Sequence, residues 1–213
     1  MSYSCNNKLK EKNEYEALAF KYYENEEYTS SLKAAGDYLF LDTTNPEIYI
    51  IKGISECHLN DFINSKISLQ NALDIDPKSV SAHFNKGYLH YMKNETDSAL
   101  KEFDYSLQLK TAGDIIIEFD NEQIKKVQTQ LGEIYFFRGI IFHETDNDSL
   151  ALENFSKAND NYYNLKQTKL YLGLTYLNLG DTEKGCKFLK DSKKEGNVEA
   201  AQYISERCGN VQL

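Results

Sequence analysis

The side chains able to do chemistry in this 213-residue chain are few and scattered. Its four histidines are His58, His83, His90 and His143. His83 and His90 stand seven apart, so a helix would put them on one face, but a metal site needs converging ligands and no second pair is near. Four cysteines are too few and too dispersed for a disulfide scaffold or a zinc site. The acidic runs "ENEE" and "HETDND" read as solvated turns. A calcium loop would need alternating oxygen ligands around a glycine turn, and "ETDNDSLALE" has no glycine. There is no glycine-rich phosphate loop, no nucleophile elbow and no paired-cysteine motif. The expectation is a non-enzyme with no cofactor and no metal.

What would position any functional group is a helical framework. The chain is 41% hydrophobic and 27% charged, with 2 Pro and 11 Gly, a composition that favours helices over a turn-rich sheet. Sixteen Tyr and eleven Phe supply bulky, partly amphipathic packing groups, and Trp is absent. A net charge of −9 argues against binding phosphate backbones, so no nucleic-acid partner is expected. No run approaches the roughly 20 apolar residues of a transmembrane helix. The start "MSYSCNNKLKEKNEYEA" has no apolar core of the signal-peptide kind, which makes a cytoplasmic location the default. The alternative rests on Cys5: a cysteine near the start followed by polar "NNKLKEK" resembles the lipidated cysteine of a bacterial lipoprotein lacking its leader, and implies a membrane-anchored or periplasmic adaptor.

The strongest signal is a period. Gly53 and Gly87 are 34 residues apart, as are Gly139 and Gly173, and 34 before Gly53 lies Ala19. Twelve residues after each comes another small residue: Ser31, Ser65, Ala99, Ala151, Gly185. Four further on a bulky residue usually follows: Leu69, Phe103, Phe155, Leu189, with Ala35 the small exception. Small residues at fixed points let antiparallel helices approach, and bulky ones fill the spaces between ridges. Polar turns "NEE", "LND", "KNETD", "TDND" and "NLGD" separate the helices, with acids placed to cap the second.

This pattern, with "NALDIDP" ending at Pro77, resembles the tetratricopeptide repeat (TPR) family. The resemblance implies an all-α, right-handed superhelical solenoid of antiparallel helix pairs forming a single domain over 1–213. About five repeats are read at 12–45, 46–79, 80–113, 132–165 and 166–199, with an insertion at 114–131 and a capping helix at 200–209. Departures are visible: Glu56 and His90 stand where the family has Tyr or another large residue, and Lys169 replaces an aromatic. Within the insertion, "DIIIEFD" (114–120) either packs over the junction or leans on the concave face, and the remainder extends the first helix of the fourth repeat.

The family's concave surface is lined by first helices and binds proteins. By position it implies a groove of Phe20 and Tyr23, Ile50, Ile54 and Cys57, Phe84, Tyr88 and Tyr91, Phe136, Ile140 and His143, and Leu170, Leu174 and Leu177. The alternative is that neighbouring helices, the insertion or the C-terminal helix bury much of that set. The positions of the family's terminal-carboxylate clamp carry Glu16, Phe20, Ile51, Ser81 and Asn85, none of them basic, so that mode is not expected. The function implied is a protein-interaction module or scaffold holding a peptide or protein segment, with a self-associating, homo-oligomeric structural module as the alternative.

Two cysteines have a geometric relation of their own. Cys186 and Cys208 are equidistant from Asn197, in the turn between the last repeat helix and "NVEAAQYISERC". Residues equidistant from the turn of a helix hairpin lie opposite each other, within disulfide reach. The two readings are a bridge, in an oxidising compartment, and two packed thiols, in a reducing one.

Overall fold

In the computed structural model, residues 2–113 and 121–209 are described, with side chains over 8–110 and 128–209. The stretch "DIIIEFD" and the side chain of Cys5 lie outside them, as does any role for either. The described residues form eleven helices and no strand. They are α1 (Ser2–Glu24), α2 (Tyr28–Leu41), α3 (Pro46–His58), α4 (Phe62–Ile75), α5 (Val80–Met92), α6 (Thr96–Gly113), α7 (Asn121–Glu144), α8 (Asp148–Asp160), α9 (Leu165–Asn178), α10 (Thr182–Lys194) and α11 (Glu199–Arg207). They fall into two compact units, 1–109 and 110–213, where the sequence predicts one domain.

In the first unit α1 packs on α2, α3 on α4, and α5 against the start of α6. The reason is the small-to-bulky spacing. A Cβ on Gly87 would come within 2.7 Å of the Phe103 ring, and one on Gly53 within 2.8 Å of Leu69 Cγ. Phe103 is fully buried and Leu69 nearly so, while Ser65 and Ala99 admit the close approach at 0% exposure. Serines tie helices within and between hairpins: Ser31 Oγ donates to Ala19 O within the first (2.9 Å), and Ser55 Oγ of the second donates to Ser31 Oγ (3.2 Å), all at buried positions. Because buried hydroxyls cost free energy unless bonded, this ladder holds one arrangement.

The second unit repeats the scheme with α7 on α8, α9 on α10, and α11 against α10. Here Gly139 meets Phe155 and Gly173 meets Leu189. Residues 121–131, read as insertion, are the opening turns of the 24-residue α7.

Each turn within a hairpin is built alike. Glu26, Asn60, Asn94, Asp146 and Gly180 all have positive φ, between 57° and 86°. The next residue's N–H reaches back five residues, as in Glu27 N to Tyr22 O (2.8 Å) and Asp61 N to Glu56 O (2.8 Å). This is the Schellman arrangement that ends a helix through one left-handed residue. Three second helices, α4, α8 and α10, then start on side-chain caps: Asp61 accepts from Asn64 N (3.2 Å), Asn147 from Leu150 N (3.3 Å) and Asp181 from Lys184 N (3.0 Å), whereas Glu27 gives α2 no such bond.

Candidate functional site: first-helix faces and an aromatic ladder

In the first unit the odd-numbered helices carry the residues expected to line a groove. The structure buries part of that set. Ile50 and Ile54 sit in a cluster with Ala72, Leu73 and Ala82, and Phe84 packs on Phe103 with ring centroids 5.5 Å apart. Cys57 is buried too, and burial pushes its thiol up to about 11, so it stays protonated and unreactive at neutral pH. Phe20, Tyr23, Tyr88 and Tyr91 remain half-buried.

Between them runs a ladder of rings. Tyr23 lies 6.3 Å from Tyr28, Tyr28 stacks on His58 at 4.2 Å with planes 4° apart, His58 lies 5.7 Å from Tyr88, and Tyr88 lies 6.4 Å from Tyr91. The ladder spans three hairpins, from the end of α1 through α2 and α3 to α5. Burial holds the His58 imidazole below its ordinary pKa, so the ring is neutral at neutral pH, and burial raises the Tyr28 and Tyr88 phenols. The site is therefore an uncharged aromatic surface with hydroxyl and imidazole edges. Tyr28 and His58 do not figure in the sequence-based set. They stand at a helix start and a helix end, 30 residues apart, and only the stacking of hairpins joins them.

The α3–α4 hairpin also holds a buried polar cluster. Glu56, 3% exposed, is bonded by Lys52 and accepts from Ser68 Oγ at 2.6 Å, while Lys52 Nζ also donates to Ser68 Oγ at 3.1 Å. A carboxylate is accommodated at this position, where the resemblance implies Tyr or another large residue, because a cation and a hydroxyl on the same hairpin satisfy it.

In the second unit Phe136 and Ile140 are core residues. Phe136 touches the rings of Phe155, Tyr163 and Tyr171 at 5.5–5.9 Å. His143 is half-buried, edge-on to Tyr171 at 5.6 Å, with Nδ1 3.5 Å from Asp148 Oδ1. Leu170, Leu174 and Leu177 share one cluster with Leu189 and Ala200, over which Tyr203 and Ile204 pack. The chain's own α11 thus takes up the apolar surface that the first-helix pattern offers to a partner. Sγ of Cys186 bonds Sγ of Cys208 at 2.04 Å, with Cα atoms 5.7 Å apart, tying α10 to the end of α11.

His83 and His90 do not converge. His83 Nδ1 is 2.8 Å from Glu102, which also holds Lys86, and His90 Nδ1 is 2.6 Å from Glu95. Among the described residues no three His, Cys, Asp or Glu side chains are placed to hold a metal, and no helix is long and apolar enough to cross a membrane. Glu133 is strongly displaced upward: burial pushes its carboxyl to about 7, opposed by the Tyr163 hydroxyl, which donates to it at 3.3 Å.

No family model matches the chain, and no curated protein matches it in sequence. Solved structures match its fold. PilF from Pseudomonas aeruginosa superposes with a TM-score of 0.72 at 11% identity, over 94% of this chain and 87% of that one. A tetratricopeptide repeat protein from Parabacteroides merdae gives 0.67 at 17% identity, over 92% and 70%. The Cut9–Hcn1 hetero-tetramer of the APC/C gives 0.71 at 13% identity, over 88% and 34%. The fold is the all-α helical-repeat fold of tetratricopeptide repeat proteins.

Proposed function

We propose that this chain is a non-catalytic interaction module that holds a peptide or protein segment against the first-helix face of its hairpins. The observation that carries the reading is the half-exposed ring ladder Tyr23–Tyr28–His58–Tyr88–Tyr91. Rigid aromatic side chains contribute large contact area at small entropic cost and supply many of the dominant contacts in protein interfaces. Phe20, half-buried on α1, adds a further aromatic ring to the first unit's first-helix residues. Ile50, Ile54 and Phe84 are buried in the first unit and so do not offer contact surface to the partner, and Phe136, Ile140, Leu170 and Leu174 are likewise buried in the second. That a structural neighbour, Cut9, assembles with a second protein, Hcn1, is consistent with such a role.

The test is comparative capture with native chain and a Tyr88→Ala, Tyr91→Ala variant, read by quantitative mass spectrometry. A protein retained by the native chain and lost by a variant of unchanged melting temperature supports the reading. An unchanged capture profile overturns it. Phe136→Ala is not a useful probe, since a core aromatic truncation costs about 3–5 kcal/mol and tests folding instead.

A second reading concerns compartment. The bond between Cys186 and Cys208 favours an oxidising environment, such as the bacterial periplasm, over a reducing cytoplasm.

A further inference from the structure

The outer surface of the second repeat departs from every other repeat. Ile63 and Ile67, one turn apart on α4, are 78% and 54% exposed. The equivalent positions elsewhere in the 34-residue register are Thr29, Asp97, Ser149 and Glu183 for the first, and Lys33, Lys101, Glu153 and Lys187 for the second. Four repeats fold with polar or charged residues at both places, so the fold does not require isoleucine at either. Isolated exposed apolar residues need no explanation, but this pair forms one ridge and lines a groove. The groove has a volume of about 570 Å³, with Phe62 in its wall and Lys93 facing α4 from beyond α5. That volume lies within the range of ligand-binding clefts.

The charge of the lining is as informative as its apolarity. Its charged residues are Lys66, between the two isoleucines in sequence, and Lys93, in a chain of net charge −9. Lys93 is held 2.5 Å from Glu95, while Lys66 makes no ion pair among the described residues. An apolar ridge of i, i+4 spacing with the Lys66 ammonium between its two isoleucines matches one class of ligand, a helix whose apolar stripe is edged with carboxylates. Ridges of that spacing interdigitate with those of a second helix, and opposite charges at the border set orientation and exclude basic partners.

We infer that the α4 groove is a second docking surface, separate from the aromatic ladder, for an acidic amphipathic helix of a partner protein. Two synthetic 18-residue helical peptides test it on the full chain, sharing one leucine stripe and edged by Glu in one and Lys in the other. Fluorescence anisotropy is expected to show the Glu peptide binding about tenfold more tightly than the Lys peptide or better, as charge complementarity demands. Ile67→Ser is expected to weaken the Glu peptide about tenfold or more, and Lys66→Glu to reverse the preference. Both sites are on the surface, so both variants should melt as the native chain does; Ile63→Ser replaces either if one does not. Equal affinity for the two peptides, or affinity unmoved by Ile67→Ser and Ile63→Ser, overturns the inference. The latter result would place any binding elsewhere, for instance on the ladder. A native chain that sediments as a dimer while Ile67→Ser sediments as a monomer overturns it in favour of a second copy as occupant.

Discussion

Tyr28 and His58 lie face to face, 4.2 Å between ring centroids and 4° from parallel, one opening α2 and the other closing α3. The contact is made by the neutral imidazole. Burial depresses the His58 pKa, with Glu26 opposing it more weakly. A histidine whose folded pKa is lowered binds its proton more readily when unfolded. Its contribution is therefore complete above the unfolded value of 6.5 and is lost as pH falls from there toward the folded value. Melting of the native chain between pH 7.5 and 5 should show this loss, and His58→Phe should flatten it. A variant with the same slope as the native chain would assign the pH dependence to other groups.

Glu133 runs the other way. Its folded pKa of about 7 exceeds the ordinary 4.5, so its contribution is complete below 4.5 and is lost as pH rises through about 7. Glu133→Gln should raise the melting temperature at pH 8 and leave it nearly unchanged at pH 4. Tyr163→Phe removes a hydrogen bond that favours the charged form and should move the titration upward, as read by NMR of the labelled carboxyl.

Two glycines that look alike in sequence should respond oppositely. Gly87→Leu drives carbon into Phe103 and should destabilise by about 1–3 kcal/mol. Gly36 lies within α2 with open space where a Cβ would stand, so Gly36→Ala should stabilise by about 0.5–1 kcal/mol. Urea denaturation of both variants distinguishes the cases.

At the turn position that is left-handed in every hairpin, Glu26 is the residue least suited to φ of 61°. Asn60 and Asn94 tolerate it, and Gly180 is at ease there. Glu26→Gly should raise the stability of the first unit by about 1 kcal/mol. Unchanged hydrogen-exchange protection in α1 and α2 would contradict the strain.

Reduction should loosen the second unit selectively. Removing a crosslink that closes a loop of 22 residues costs about 2–4 kcal/mol. Cys186→Ser should reproduce the effect of a thiol reductant and make the native chain's response to that reductant disappear. Thiol counting on denatured, unreduced protein checks the bond directly.

The period of 34 is legible because its cause is local and repeated: a small residue faces a bulky one sixteen later, and Gly53–Leu69, Gly87–Phe103, Gly139–Phe155 and Gly173–Leu189 each state it again. Which first-helix residues stay at the surface is not legible in this way. Leu174 and Leu177 stand at the register positions of Phe20 and Tyr23, yet α11 lies over their cluster while the latter pair remains half-exposed. Periodicity specifies a face and leaves open what covers it. The pairing of Tyr28 with His58 is not legible in the sequence, because helix ends carry no period. Glu56 is visible as a departure, but its partners Lys52 and Ser68 become evident only once α3 and α4 are paired.

The bond that joins Cys186 to Cys208 also determines how tension would travel through the chain. Force applied beyond Cys208 passes through the sulfurs into the middle of α10 and bypasses α11 altogether. The 22-residue stretch between the two cysteines cannot lengthen while the bond is intact. Fully extended it would span roughly 75 Å, and that length is withheld from any stretching of the chain. Oxidised protein would therefore extend less than reduced protein under the same pull, by an amount that depends only on where the two cysteines stand in the sequence.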